Sequence, residues 1–244
     1  MLYAFISDIH SNLEALSAVL TKCADIGADN IVCLGDIVGY NANPNECIEL
    51  IRKNNIRSVM GNHDERAAGL CEPDTFNAEA QAAIYWTREA MSREHRAYLK
   101  SLPQQVDEKN GISAVHGTLR SHDEYLFSAE DAPFELKLVQ KSAIKILFFG
   151  HTHSPALYGT KTVPGASVYL QQETILDPSG IYLVNPGSVG QPRDGDPRAA
   201  FCTFDSESGV LKFHRVEYDI KKASQKVLAA GLPEYLGKRL FTGR

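Results

Sequence analysis

Five short motifs rich in aspartate, asparagine and histidine are spread along this chain of 244 residues. They read Asp-Ile-His at 8–10, Gly-Asp-Ile-Val-Gly at 35–39, Gly-Asn-His-Asp at 61–64, His-Gly at 116–117 and Gly-His-Thr-His at 150–153. Carboxylate, amide and imidazole groups together form a mixed oxygen and nitrogen donor set. Such a set suits Mn, Fe or Zn better than Ca or Mg, which favour oxygen ligands alone. The motifs therefore predict a metal site.

Each motif also has a purely structural interpretation when it is taken alone. Asp36 could cap a helix after a plain turn, and Asn62 with His63 could form a tight turn and nothing more. A single histidine at a strand end, such as His116, is more often structural than a ligand, although histidine is the commonest metal-binding side chain. The presence of all five motifs in one chain favours a shared site.

The motifs follow segments with the pattern of buried β-strands, and the first three such segments are connected by helical patterns. A capping-box sequence begins at Ser11, and Asn43 with Pro44 predicts the start of the second helix. The βαβαβ order predicts parallel strands with right-handed crossovers. Ligands of open α/β sheets bind beyond the carboxyl ends of strands, so the motifs are expected to meet there. The strand-like runs lie at Leu2–Ile6, 30–34, 56–60, Ile112–Val115 and 144–149.

The remaining segments are expected to complete one α/β domain over residues 1–244. Residues 75–101 have a helical pattern, and Asn110 with Gly111 predicts a hairpin turn. Further strands are predicted at 181–184, 199–204 and Val210–Val216, before a helical tail that begins at Asp219. The sequence contains no internal repeat and no obvious linker, so two sheets in one domain are the simplest interpretation.

The composition indicates a soluble cytoplasmic protein. The net charge of −5 and a pI of about 5.9 do not suggest a broadly basic surface for nucleic acid. Five cysteines without a CxxC pair are typical of reduced thiols rather than a disulfide framework. The N-terminus does not have the pattern of a signal peptide, and no apolar run reaches the roughly 18 residues needed to span a bilayer.

The order of the five motifs resembles that of the calcineurin-like metallophosphoesterases. The sequence Asn-Pro-Gly-Ser-Val-Gly-Gln-Pro-Arg at 185–193 also resembles a loop of the small bacterial and archaeal branch that includes YfcE-like phosphodiesterases, and the helical tail is similar. This resemblance implies an α/β fold, a four-layer αββα sandwich of two mixed sheets flanked by helices. It also implies a hydrolase that uses a dinuclear metal centre to activate water for phosphate ester hydrolysis.

The resemblance further implies a role for each motif residue. His63 would be the catalytic acid, with Asp64 orienting it, and Asp36 would bridge two divalent metal ions. Mn²⁺ is the expected metal, with Fe, Zn, Co or Ni as alternatives. Two divalent ions would leave a net positive charge that attracts phosphate, because only two of the seven ligands are anionic. The other ligands would be Asp8, His10 and His153 for the first metal, and Asn62, His116 and His151 for the second.

The substrate is expected to be a small phosphodiester or a nucleotide-type phosphate ester. Protein serine/threonine phosphatases of this superfamily carry arginines beside the second and third motifs, where this chain has none. A diadenosine polyphosphate hydrolase and a phosphomonoesterase are the alternative enzymes, while the acidic balance disfavours a nuclease. Candidate substrate contacts are Arg193, Arg120, Tyr40 and Asn41, although both arginines could equally be surface residues.

A protein-binding scaffold is the alternative from another class, because a fold alone does not prove a function. The presence of His63 and of all seven candidate ligands disfavours it. The other histidines are interpreted as structural, for His95 and His214, or as solvated in a loop, for His122. The sequence does not indicate an oligomeric state.

Overall fold

A computed structural model of the chain describes residues 1–126, 130–161 and 173–244. Its first part alternates strands with helices, and the three strands pair in parallel, which confirms the predicted βαβαβ order. These elements are β1 (Leu2–Ile6), α1 (Leu13–Asp25), β2 (Asn30–Cys33), α2 (Pro44–Lys53), β3 (Arg57–Ser58) and the short α3 (Asn62–Ala67).

Two helices, α4 (Ala78–Ala90) and α5 (Arg93–Lys100), occupy the segment 75–101, for which a helical pattern was predicted. They are separate because Met91 is extended and Ser92 starts a new helix, its side chain accepting from the His95 N–H at 3.1 Å. The hairpin of β4 (Gln105–Asp107) and β5 (Ile112–Val115) follows. Its turn contains Asn110 at φ 64° and Gly111 at φ 73°, as the Asn-Gly pair predicted.

The remaining elements complete two mixed sheets. They are α6 (Ala132–Gln140), β6 (Ile146–Phe148), β7 (Ala156–Gly159), β8 (Glu173–Ile175), β9 (Tyr182–Asn185), β10 (Ala199–Asp205), β11 (Val210–Val216), α7 (Ile220–Ala229) and α8 (Glu234–Arg239). The strand orders are β3-β2-β1-β10-β11-β8 and β4-β5-β6-β9-β7. Three of these elements, α6, β7 and β8, were not predicted from the sequence pattern.

The two sheets pack face to face through an apolar core, and helices cover their outer faces. Phe5 of β1 and Phe148 of β6 stack across the interface with ring centroids 3.5 Å apart. Because side chains alternate along a strand, Ile6 points to the other face, where it packs with Leu16 of α1. Helix α6 covers the second sheet in the same way, with Val139 in one cluster with the strands. This arrangement confirms the four-layer αββα sandwich.

The start of α1 differs from the prediction by one residue. Asn12, not Ser11, caps the helix, and its side chain accepts from the Ala15 N–H at 3.1 Å. Ser11 instead lies at φ 57°, in the loop that follows β1. The loop therefore extends further than the capping-box pattern indicated, and it contains the first motif.

The five cysteines are free, as predicted, and all except the half-buried Cys71 are buried. Within the described ranges, no helix has the length and apolar character needed to cross a membrane.

Candidate metal centre

The five motifs meet at one edge of the sandwich, in the segments that follow β1, β2, β3, β5 and β6, with Asn62 and His63 in the first turn of α3. Their candidate ligands are buried, each exposing at most 3% of its surface. Burial of so many polar groups is costly unless they are paired or bind a cation. These buried residues are Asp8, His10, Asp36, Asn62, His116, His151 and His153.

The first group of candidate ligands is formed by Asp8, His10 and His153. The Nε2 atoms of the two histidines lie 3.0 Å apart. The Asp8 Oδ1 atom lies 3.3 Å from His153 Nε2 and 3.9 Å from His10 Nε2. One carboxylate oxygen and two imidazole nitrogens therefore converge on a single point.

The second group is formed by Asn62, His116 and His151. The His116 Nε2 atom lies 3.1 Å from Asn62 Oδ1 and 3.2 Å from His151 Nδ1. Asp36 stands between the two groups, because its Oδ2 atom is 3.3 Å from His116 Nε2 and 3.6 Å from His10 Nε2. The carboxylate that was predicted to bridge two metals thus lies within reach of both groups.

Backbone carbonyls fix the hydrogen positions of three of these imidazoles. The Nδ1 atoms of His10, His153 and His116 lie 3.1, 2.6 and 2.7 Å from a carbonyl oxygen. A carbonyl only accepts, so each Nδ1 carries a hydrogen and each neutral ring presents a bare lone pair at Nε2. A cation between these Nε2 atoms and the carboxylates, whether a metal ion or a proton, would stabilise the arrangement. The carbonyls belong to Val38, Gln191 and Leu34.

The carboxylate charges in the site also favour a cation there. Burial by itself lowers the pKa of His116, but the carboxylates of Asp36 and Asp8 raise it to about 9. Burial lowers the pKa of His10 to about 3, and burial raises the pKa of Asp8 to about 6. The carboxylate field therefore favours positive charge beside Asp36, which a divalent cation would supply. Titratable groups shifted in this way are typical of functional sites.

The backbone at the candidate ligands is strained. Asp8, His10, Asp36, His151 and His153 have φ values between 48° and 67°, in the left-handed region that costs a non-glycine residue about 1 kcal/mol. Asp8 and His10 lie in one group although neither is in extended chain, where residues two apart would project to the same side. The strain is sustained by the surrounding hydrogen bonds, and such strain is typical of functional sites.

The loop at 185–193 ties the ligand segments together. Ser188 Oγ donates to the carbonyl oxygen of Asp8 at 2.8 Å, and Asn185 Nδ2 donates to that of Gly150 at 2.8 Å. A Cβ atom on Gly190 would lie 1.8 Å from the carbonyl oxygen of Ile9, so only glycine fits there. This loop therefore supports the backbone of both the first and the last motif.

The imidazole of His63 lies beside the first group and is buried. Its ring centroid is 4.8 Å from that of His10, 4.5 Å from that of Tyr40 and 4.6 Å from that of Phe76. Its backbone N–H donates to Asp36 Oδ1 at 2.8 Å. Burial lowers the pKa of His63 well below its usual value, although Asp36 opposes the shift.

Asp64 does not contact the ring of His63 in the way the sequence suggested. Its two carboxylate oxygens accept from the backbone N–H groups of Val38 and Gly61, each at 3.1 Å. Burial raises the pKa of this carboxyl group to about 7, and Asp36 adds to the shift. Asp64 therefore joins the second motif to the third, and the ring of His63 is positioned by its aromatic neighbours.

Replacement of Gly39 by alanine is expected to displace the ring of His63. Gly39 lies at φ +100°, and a Cβ atom there would lie 2.6 Å from His63 Nδ1. A displacement of about 1 Å in a catalytic group can lower turnover on the order of 10²-fold. We expect Gly39→Ala to bind metal normally and to lose that much activity in steady-state assays. Gly69→Ala is the control, because Gly69 also has positive φ but no atom within 4 Å of the added Cβ; an equal loss there would refute the displacement.

The four candidate substrate contacts have different positions. Tyr40 lies at the centre, with its ring centroid 4.6 Å from that of His10, and its hydroxyl is 3.4 Å from Arg193 Nη2. Asn41 Nδ2 donates to the carbonyl oxygen of His10 at 2.8 Å, so Asn41 supports a ligand segment. Arg120 is half exposed, pairs with Glu124 and lies over the ring of Phe134, 4.4 Å from its centroid.

Two features near the centre were not found from the sequence. Tyr125 stacks on His151 with ring centroids 3.7 Å apart, although no motif surrounds it. His122 was expected to be solvated, but its Nε2 atom lies 2.9 Å from Glu65. Asp123 lies beside the same pair, and Arg66 contacts the carboxylates of Glu65 and Asp123 at 3.4 and 3.0 Å. These four residues therefore form an ion-pair network.

The two histidines interpreted as structural have structural contacts. His95 Nδ1 lies 2.7 Å from Asn45 Oδ1, and His214 Nε2 lies 2.9 Å from Thr203 Oγ1. Neither belongs to a group of potential metal ligands in the described ranges.

Comparison with known proteins supports the resemblance seen in the motifs. Residues 1–209 match the model of the calcineurin-like phosphoesterase superfamily domain. The uncharacterized protein MJ0912 of Methanocaldococcus jannaschii is 44% identical over 247 residues, which cover 99% of this chain and 98% of that protein. The crystal structure of a metallophosphoesterase from Sphaerobacter thermophilus is 40% identical, with a TM-score of 0.84 over 100% of this chain and 99% of that chain. The crystal structure of the hypothetical protein PH1004 from Pyrococcus horikoshii OT3 shares the fold, with a TM-score of 0.83 at 24% identity. The match covers 100% of this chain and 98% of that chain.

Proposed function

Because this chain belongs to the calcineurin-like phosphoesterase superfamily, we propose that it is a two-metal phosphoesterase acting on phosphodiesters or nucleotide-type phosphate esters. The observation that supports this most strongly is the orientation of the buried imidazoles. Three rings donate through Nδ1 to carbonyls and turn Nε2 toward the other candidate ligands. Ligand histidines are held in this way in metalloproteins.

The donor set fits two divalent ions, of which Mn²⁺ is our choice. Asp36 would be shared, since its carboxylate reaches both groups. When bound, the metal pair would activate water and neutralise the phosphoryl oxygens. The first ion would be held by Asp8, His10 and His153, and the second by Asn62, His116 and His151.

His63 would act as the general acid. It lies beside the first group, and its ring contacts aromatic side chains instead of an ion pair. Burial keeps the ring neutral in the free protein, and the negative charge of a bound phosphate would raise its pKa. A protonated His63 could then donate its proton to the departing oxygen.

The preference for a diester depends on the arginines. A phosphomonoester dianion is commonly clamped by bidentate arginine beside the metals. Among the described contacts, Arg193 is the arginine that reaches Tyr40 at the centre, while Arg120 is engaged by Glu124. One arginine at the rim matches the smaller charge of a diester better than that of a monoester.

A substrate panel with the Mn-loaded full chain tests the proposed function. We expect kcat/KM for the diester bis(p-nitrophenyl) phosphate to be at least about tenfold higher than for the monoester p-nitrophenyl phosphate. Diadenosine tetraphosphate is the third substrate and represents nucleotide-type esters. Removal of metal by EDTA should abolish hydrolysis, and added Mn²⁺ should restore it.

The same panel separates the alternatives. A faster reaction with the monoester would overturn the diester preference, and cleavage of diadenosine tetraphosphate alone would identify the polyphosphate hydrolase. A metal-loaded protein without activity toward any of the three esters would favour the scaffold.

A further inference from the structure

Arg193 lies at the rim of the candidate metal centre and contacts two polar side chains there. Its backbone N–H donates to the carbonyl oxygen of His153 at 3.2 Å, which places it beside the first group. Its Nη2 atom lies 3.4 Å from the Tyr40 hydroxyl oxygen and 3.0 Å from Gln191 Oε1. One guanidinium nitrogen therefore joins a phenol and an amide.

The phenol of Tyr40 lies between Arg193 and the proposed acid. Its ring centroid is 4.6 Å from that of His10 and 4.5 Å from that of His63. The guanidinium carbon of Arg193 lies over the same ring, 5.7 Å from its centroid. Tyr40 is buried, and it packs in one apolar cluster with Leu236 of α8. Its hydroxyl is therefore held in place at the side of the first ligand group.

Gln191 adjoins the same ligand group through its main chain. Its carbonyl oxygen accepts from His153 Nδ1 at 2.6 Å, and the N–H of Gly190 donates to the carbonyl oxygen of Asp8 at 2.9 Å. The residue exposes only 1% of its surface. Among the residues that the structure describes, none makes a hydrogen bond with the buried Nε2 of Gln191. A buried donor of this kind destabilises the fold unless an acceptor binds to it.

Arg193 determines where the hydrogens of these two side chains point. A guanidinium only donates hydrogen bonds, so the Tyr40 oxygen and Gln191 Oε1 must accept from it. The hydroxyl hydrogen of Tyr40 and the amide hydrogens of Gln191 are then directed away from Arg193. Two neutral donors thus remain beside the first ligand group, and a phosphoryl oxygen is an acceptor that both could share.

We propose that Tyr40 and Gln191 donate hydrogen bonds to the non-bridging oxygens of the phosphoryl group during hydrolysis, and that Arg193 is a positioning residue that orients both donors. This inference rests on the proposed function, since it assumes that the scissile phosphate binds at the metal centre. Fixed donors that face an oxygen on which negative charge develops stabilise the transition state more than the bound ester.

Tyr40→Phe and Gln191→Met test the two donors, because each removes the hydrogen-bonding groups and retains most of the side-chain volume. In the Mn-loaded full chain, we expect each variant to lower kcat for bis(p-nitrophenyl) phosphate about 10²-fold, as loss of one oxyanion donor does, with KM within about threefold. Orthovanadate resembles the five-coordinate transition state and should inhibit at least about tenfold more weakly, while inhibition by inorganic phosphate changes less than about twofold. A kcat within about threefold of the wild-type value in either variant, or equal losses of vanadate and phosphate inhibition, would overturn the proposal.

Tyr182→Phe is the matched control for Tyr40→Phe. Tyr182 is also buried, but it lies at the start of β9, and its hydroxyl contacts the backbone of Asp177. The motifs follow the opposite ends of the strands, so this variant should keep kcat and vanadate inhibition within about twofold of the wild-type values. A loss as large as that of Tyr40→Phe would show that the effect is a general one of removing a buried hydroxyl.

A double-mutant cycle tests the positioning role of Arg193. If Arg193 acts through Tyr40, the variant that combines Arg193→Ala with Tyr40→Phe should have a kcat within about threefold of that of Arg193→Ala alone. Arg193→Ala should also weaken inhibition by vanadate more than inhibition by phosphate. Losses that multiply in the double variant would show that Arg193 contacts the phosphate itself and would overturn the positioning role.

Calorimetry separates this proposal from the proposed function. If the wild-type protein hydrolyses no ester, the proposed function fails, but binding of vanadate and phosphate to the Mn-loaded protein can still be measured directly. Selective loss of vanadate affinity in Tyr40→Phe and Gln191→Met, with the metal content of the wild-type protein, would then sustain the two donors. Equal vanadate affinities in the wild-type protein and both variants would refute them.

Discussion

Replacing His63 with glutamine is expected to lower turnover by about 10²- to 10⁴-fold while both metals stay bound. The ring lies beside the first ligand group, 4.8 Å from the ring of His10, but its backbone N–H, not its side chain, contacts the Asp36 carboxylate. Removal of the ring should therefore remove the proton donor and leave the seven ligands in place. Glutamine retains most of the buried volume between Tyr40 and Phe76, which limits collapse of the site.

Steady-state kinetics and elemental analysis of the same protein sample measure the two parts of this expectation. His95→Gln is the control, because His95 is also a buried histidine but contacts Asn45 away from the motifs. It should keep turnover within about twofold of the wild-type value, as expected for a site outside the catalytic unit. Full turnover of His63→Gln, or loss of metal from it, would remove His63 from the role of acid.

Replacing Asp36 with asparagine is expected to have the largest effect on metal binding. The Asp36 carboxylate lies within 3.6 Å of an imidazole nitrogen in each ligand group. Its loss removes half of the ligand charge that would balance two divalent ions. We expect at most one metal per chain, and a fall in turnover on the order of 10³-fold, since a second ion contributes about 4 kcal/mol of transition-state stabilisation.

Asp64→Asn is the matched control for Asp36→Asn. Asp64 is equally buried and only 28 residues away in sequence, but its carboxylate accepts from the backbone of Val38 and Gly61. A calorimetric titration with Mn²⁺ should give two bound ions in Asp64→Asn and at most one in Asp36→Asn. Two ions in both variants would show that Asp36 does not bridge.

The order of the elements around the site could be predicted from the sequence because its signals are local. An apolar run such as Leu2–Ile6 is enough to indicate a buried strand, and Asn43 with Pro44 is enough to start α2. Parallel strands with helical crossovers place their carboxyl ends at one edge. The five motifs could therefore be assigned to one site before any coordinates were known.

The backbone conformation at the ligands could not be predicted. Aspartate and histidine adopt positive φ more often than most residues, but five ligands in this conformation require tertiary hydrogen bonds. The His10 N–H, for example, donates to the carbonyl oxygen of Asp36 at 2.9 Å, across two loops. The division of Gly-His-Thr-His, with His151 in one group and His153 in the other, was implied by the family resemblance and not by the spacing.

Contacts between segments that are distant in the chain could not be predicted from the sequence either. Leu236 of α8, for example, packs in one apolar cluster with Tyr40, nearly 200 residues away in sequence. The family resemblance implied that Asp64 orients His63, yet its carboxylate accepts from the backbone of the second motif. Local patterns in the sequence predicted which segments meet but not these supporting contacts, because support in this fold comes from loops between different strands.

The central claim is that one pair of divalent ions binds at the edge where the five motifs meet. Anomalous diffraction from a crystal of the full chain grown with Mn²⁺ tests it most directly. We expect two peaks about 3.5–4 Å apart, with Asp36 between them, one beside His10 and His153 and the other beside His116 and His151. A single peak there, or peaks only at the Glu65, His122 and Asp123 group, would contradict the claim.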